Sequence, residues 1–252
     1  CEVQLDLVRE PRTFTVRRCA VRDSESAATL SFKREEQRSS FSFAGHLTGN
    51  TLNGLLLQNP PLSGEVRGDF KADIHWDQPG RSTASGSLFV KGLNASRTPD
   101  SPVIIHSMAM EGTRQGLALG SGSFRWRGQE MTMSGTVDFQ SDAYLLNLDA
   151  AADAIQWQAL REAEKTPESA SGGEPQGKST SVPLKGVIRI RASSLSYEKY
   201  TWSPFGAEVT LLPDGYDIAL THSVLCGIPT PGNIRFGRDG LQVDLKPAAK
   251  GA

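Results

Sequence analysis

The amino-acid sequence predicts an all-β fold of repeated antiparallel hairpins with one short helix. Three observations carry that prediction. Apolar and polar residues alternate with period two in short runs, turn residues interrupt those runs about every 8 to 12 positions, and helical periodicity is nearly absent. A chain of 252 residues is long enough to bury a sizeable core, as one extended domain or two compact ones.

The alternation begins at once in Cys1-Glu2-Val3-Gln4-Leu5-Asp6-Leu7, so Cys1 falls in mid-strand and the expectation is a chain that starts further upstream. Strands are then predicted at Thr13 to Val21, Ala27 to Lys33, Ser40 to Leu47, Gly64 to Trp76, Ala84 to Lys91, Val103 to Met110, Gly116 to Trp126, Met131 to Phe139 and Tyr144 to Ala150. Arg127-Gly128-Gln129 reads as a tight hairpin bend, with glycine supplying the positive φ that such a bend needs. Asp153 is placed to cap a short helix running to Lys165, in which Ile155, Ala159 and Leu160 form a narrow apolar stripe. From Thr166 to Val182 the chain turns to Pro, Glu, Ser, Gly and Lys, and so little apolar surface predicts a disordered insertion. The expected segments are therefore 1–165, 166–182 and 183–252.

The last segment is the most legible. Ile188, Ile190 and Ala192 alternate with Arg189 and Arg191, and Pro213-Asp214-Gly215 joins a strand at Ala207 to Leu212 to one at Tyr216 to Leu220. Arg238-Asp239-Gly240 joins Ile234 and Phe236 to Leu241, Val243 and Leu245 in the same way. Each hairpin has one greasy face and one charged face.

Charge excludes some partners. Lys and Arg number 27 against 28 Asp and Glu, and neither sign is concentrated, so the sequence carries no nucleic-acid footprint and no polybasic membrane patch. The chain as given has no charged-then-apolar leader and no run of about 18 apolar residues. Cys1, Cys19 and Cys226 are too few for a disulfide scaffold and lack the paired spacing of a zinc site.

No residue set converges on catalysis. His46, His75, His106 and His222 stand singly, without Asp, Glu or Cys at ligand spacing. Asp69, Asp73 and Asp77 suit a charged outward strand face better than acid/base work. Ser85-Gly86-Ser87 and Ser121-Gly122-Ser123 lack the order of a nucleophile elbow. Asn94-Ala95-Ser96 fits a glycosylation acceptor, a tripeptide common enough to arise by chance. Trp76, Trp126, Trp157 and Trp202 each edge an amphipathic run, where packing is favoured over sugar or base stacking. The expectation is no enzyme activity, no metal and no cofactor.

Three groups of residues in the last segment form a recognisable pattern: Pro183-Leu184-Lys185-Gly186-Val187-Ile188-Arg189-Ile190-Arg191-Ala192; then Tyr197, Trp202 and Ala207-Glu208-Val209; then Val224-Leu225-Cys226-Gly227-Ile228 with Pro231-Gly232. This pattern resembles the C-terminal region of the AsmA-like family of bacterial envelope proteins, and covers about a quarter of the chain. Gly68 to Pro79, Ala84 to Leu93 and Gly122 to Asp149 are similar to the β-repeats that precede it in that family. The resemblance implies a curved periplasmic sheet whose concave apolar face carries acyl chains, anchored in the inner membrane by an N-terminal helix that this chain lacks. It also implies a partner for Cys226 beyond Ala252, with Cys19 as the competitor within the chain.

Alternation alone suits the core of a closed sandwich as well as an open lined face. The resemblance, with one helix for some fifteen strands, favours a curved, grooved antiparallel sheet. The expected function is shielding or transfer of phospholipid or another acyl-chain lipid in support of outer-membrane assembly, with Ile188, Ile190, Ile218, Leu220, Ile234, Phe236, Leu241 and Val243 lining the lipid face. The alternative is a structural or adhesive β-sandwich module without a ligand.

Overall fold

The computed structural model describes residues 2–10, 13–51, 64–94, 103–158, 182–237 and 240–248. It is all-β, and its eighteen strands belong to one sheet. In chain order they are β1 (Glu2–Glu10), β2 (Thr13–Arg22), β3 (Ala27–Arg34), β4 (Arg38–Thr48), β5 (Glu65–His75), β6 (Thr83–Asn94), β7 (Val103–Arg114), β8 (Gly116–Trp126), β9 (Gln129–Phe139) and β10 (Tyr144–Gln156). There follow β11 (Leu184–Tyr197), β12 (Tyr200–Trp202), β13 (Phe205–Leu212), β14 (Gly215–Leu220), β15 (Val224–Leu225), β16 (Ile228–Pro229), β17 (Gly232–Gly237) and β18 (Gly240–Leu245).

Each of the first nine strands pairs antiparallel with the next, as short turns between alternating runs require. The meander then continues from β11 through β13, β14, β17 and β18. Three short strands, β12, β15 and β16, form a side branch held to β11 and joined by Trp202↔Leu225. Among the described residues β1 and β18 each pair on one side only, so the sheet is open.

Among the described strands one pairing is parallel, that of β10 with β11, from Tyr144↔Leu184 to Gln156↔Ser196. It carries the sheet without a break across the position of the expected insertion, of which residues 166–181 lie outside the described residues. The same pairing overturns the start of the expected helix. Asp153 to Gln156 are strand, because β11 offers them a ladder and Gln129 clamps Gln156, donating to its carbonyl at 3.3 Å and accepting from its N–H at 3.1 Å. Residues 157–158 are helical; 159–165 lie outside the described residues, as do Ala95 and Ser96 of the acceptor tripeptide.

The sheet curls. Five strand steps separate β5 from β10, roughly 24 Å along a flat sheet, yet Trp76 and Tyr144 have ring centroids 6.4 Å apart. Glycines on the concave face make room for the bend. Gly45 and Gly68 face each other across β4 and β5 with φ of 121° and 146°, and a Cβ on Gly68 would meet the Ser87 carbonyl oxygen at 2.1 Å.

A short loop closes one end of the trough. Between β5 and β6, the 3₁₀ turn Pro79–Arg81 folds onto the β9–β10 turn with Pro79 and Ser82 fully buried. Tyr144 latches it: the His75 N–H donates to Ser82 Oγ at 2.8 Å, Ser82 Oγ and Tyr144 Oη lie 2.8 Å apart, and Tyr144 Oη donates to the His75 carbonyl at 2.8 Å.

Candidate functional site

Side chains opposite one another in register share a face, and alternate residues along a strand switch faces. Followed from strand to strand, the pairings build one apolar face across the whole meander. One row starts at Val3 and passes through Val21, Ala28, Gly45, Gly68 and Leu88. It continues through Met110, Leu119, Gly135 and Leu148, then Ile188, Val209, Ile218, Ile234 and Val243. Fifteen strands are crossed without a polar residue, over roughly 65 Å of sheet. A second row, two residues along each strand, begins at Leu5, Cys19, Leu30, Phe43 and Phe70 and ends at Leu211, Tyr216, Phe236 and Leu241.

All eight residues singled out in the sequence lie on this face. Ile188, Ile218, Ile234 and Val243 stand in the first row, Phe236 and Leu241 in the second. Ile190 and Leu220 join a third, through Ile190↔Ala207↔Leu220↔Gly232↔Leu245. Sequence reasoning did not nominate the residues that link them, Val209 and Ala207 on β13, or the continuation through Leu146 and Leu148 on β10. Each showed the same alternation, but membership of a row depends on register between strands.

Burial grades laterally. Phe43, near the middle of β4, is 2% exposed, whereas Leu5 on β1 is 62% exposed, Phe236 46% and Leu241 65%. Large exposed apolar patches of this kind mark surfaces that meet another apolar body. No helix of seven or more residues lies among the described residues to cover the face.

The opposite face is a charge ladder. Arg189 reaches Asp149 at 3.9 Å and Glu208 at 3.4 Å, Arg191 reaches Asp149 at 3.2 Å, and Arg235 forks onto Asp217 at 2.6 and 2.9 Å. Arg38 forks onto Asp73 at 2.7 and 2.6 Å, and that hydrogen bonding holds the Asp73 carboxyl below its ordinary range. Asp69 sits on the same solvent side of β5. Such exposed pairs add little stability singly, and their effect is to fix which face stays wet.

The histidines are dispersed. His106 bonds Glu130 at 2.9 Å beside Arg125, and His46 lies 3.5 Å from Glu65. Among the described residues no group of three or more His, Cys, Asp or Glu gathers at metal-binding distance. The tryptophans are dispersed too: Trp76 donates to Ser39 Oγ at 3.1 Å, Trp126 packs under Arg127, Trp202 lies against Tyr200, and Trp157 is exposed.

Cys226 and Gly227 have φ of 50° and 80° and are the two central residues of the β15–β16 hairpin, a type I′ turn. Arg127 and Gly128, at 51° and 78°, make the same turn between β8 and β9. Cys226 is an exposed free thiol; Cys19 is half-buried in the second apolar row. No helix among the described residues is long and apolar enough to cross a membrane. No protein-family model, no curated protein and no solved structure matches the chain.

Proposed function

We propose that this chain is a non-catalytic segment of a periplasmic, inner-membrane-anchored protein of the AsmA-like kind, which shields acyl chains of phospholipid or a similar lipid and supports outer-membrane assembly. One observation carries the reading: adjacent rows of apolar side chains and glycines run unbroken across fifteen strands on one face of an open sheet. Such a face suits a ligand held by contact area alone. Each methylene taken out of water contributes about 0.8 kcal/mol, so a fatty chain is retained strongly with no specific polar contact and slides at little cost. The resemblance in Pro183 to Gly232 supplies the envelope location and the membrane anchor in this reading.

The sandwich alternative requires a second sheet over the apolar face. All eighteen described strands belong to one sheet, which favours the trough.

The test is extraction of the full-length protein, purified from envelopes, with mass spectrometry of the extract. Phospholipid or another acyl lipid in amounts comparable to the protein is expected. Protein that comes away free of acyl lipid, and takes up none from vesicles, overturns the reading.

A further inference from the structure

The apolar face carries few charges, and their sign and position are informative. Among the described strand residues, register and alternation place three charged side chains on it, Arg9, Arg34 and Arg114. All three are arginine. All three lie at strand ends, where β1, β3 and β7 finish, toward the same end of the sheet as the start of β10 at Tyr144.

Two of them form a unit. Arg9 pairs with Phe14 and Phe14 with Arg34, so one phenylalanine on β2 stands in register between two arginines on β1 and β3. The flanking Cα positions are roughly 10 Å apart, within reach of two long side chains closing on one anion above the ring. Phe14 packs on Phe32, centroids 6.1 Å apart, and leaves part of its ring in solvent. Both arginines are exposed, and among the described residues neither has an ion-pair partner; the nearby Glu35 is engaged by Lys33 at 2.7 Å. An inward charge on an edge strand is a familiar defence against aggregation. That accounts for Arg9 on β1, but not for Arg34, two strands in.

Next along the same face come Leu7, Val16 and Phe32, then Leu5, Cys19 and Leu30. A ligand matched to this arrangement is anionic at one end and apolar along the rest. Planar guanidinium forks recognise phosphate oxygens in bidentate fashion. We propose that Arg9 and Arg34 bind the phosphate of a glycerophospholipid whose acyl chains lie on the adjoining apolar rows. The proposal rests on the acyl-binding reading of the face and assigns it a polarity: headgroups gather at the end of the sheet that Arg9 and Arg34 mark on β1 to β3.

The experiment uses the full chain and two fluorescent lipids with identical acyl chains, a phosphatidylglycerol and a diacylglycerol without phosphate. The parent is expected to prefer the phospholipid by about tenfold or more, as charge-assisted bonds from two arginines imply. The Arg9→Gln, Arg34→Gln double variant should lose that preference while binding diacylglycerol as before, with an unchanged melt. Arg22→Gln, on the opposite face of β2, should change nothing. Equal binding of both lipids by the parent, or a preference that survives the double substitution, overturns this site and leaves the acyl reading standing. Failure of both lipids to bind the parent removes the acyl reading itself. Glycerol phosphate at millimolar concentration should not displace the phospholipid; displacement would make the pair a site for free anions and overturn its assignment to lipid.

Discussion

Phe236→Asp distinguishes an acyl-binding face from an ordinary core. Phe236 stands in the second apolar row between Tyr216 and Leu241, 46% exposed, with its ring stacked on Tyr216 at 5.2 Å. Full burial of a phenylalanine contributes about 1.5 to 3 kcal/mol, so losing half of it costs about 1 to 1.5 kcal/mol. The lost ring pair adds roughly 0.5 to 1.5 kcal/mol. A total near 2 kcal/mol lowers the melting temperature and leaves a typical domain folded. The carboxylate stays hydrated at so exposed a position until an acyl chain covers it. Covering it without a partner costs several kcal/mol, more than three methylenes return at about 0.8 kcal/mol each, so lipid affinity should fall at least about tenfold. Phe43→Asp is the control: it lies in the same row at 2% exposure, and the charge has nowhere to hydrate, so that variant should not fold. Thermal melts beside a fluorescent-lipid titration decide the matter. A folded Phe236→Asp that binds lipid like the parent would refute the reasoning, and unfolding like that of Phe43→Asp would mean a covered core.

Tyr144→Phe should destabilise the chain by about 1 to 3 kcal/mol, because it strips partners from the buried Ser82 hydroxyl and the His75 carbonyl. Burial raises the Tyr144 phenol above its ordinary value of 10.0, so the folded state holds that proton more tightly than the unfolded chain. The contribution is therefore complete below pH 10 and lost as pH rises through the raised folded value; alkaline melts of parent and Tyr144→Phe should differ in that window, and parallel curves would refute the latch. Gly68→Ala should cost more than about 1 kcal/mol, since φ is 146° and the added Cβ would overlap the Ser87 carbonyl; a neutral result in a denaturant titration would mean the sheet does not need that bend. Cys226→Asn should be neutral within about 0.5 kcal/mol, because Asn-Gly is the preferred pair for a type I′ turn; marked loss of stability in protein purified without reductant would instead reveal a disulfide through Cys226.

Most strands were legible because each is a local matter of alternation and punctuation. Gly116 to Trp126 matches its observed bounds, and Thr13 to Val21 misses by one residue. Long-range pairing was not legible. Nothing in Tyr144 to Gln156 announces a parallel partner beginning at Leu184, and without that partner Asp153-Ala154-Ile155-Gln156 has the composition of a helix start. The short strands β12, β15 and β16 carry too few residues for a period to register. Cys226-Gly227 drew attention as part of a family-like segment, while the geometry of the dipeptide answers first to the turn it makes. The eight nominated residues did converge, because hairpin turns fix register between neighbours. Phe14 between Arg9 and Arg34 escaped notice because three strands must be aligned before the triplet exists.

Ile188 and Arg189 offer the most direct test of the central claim, since adjacent residues on β11 point to opposite faces. A photoreactive amino acid placed at each position in turn, in cells making the protein, reports what touches that face. The account predicts acyl-lipid adducts at position 188 and none at 189; lipid adducts equal at both positions, or only protein adducts at 188, would contradict it.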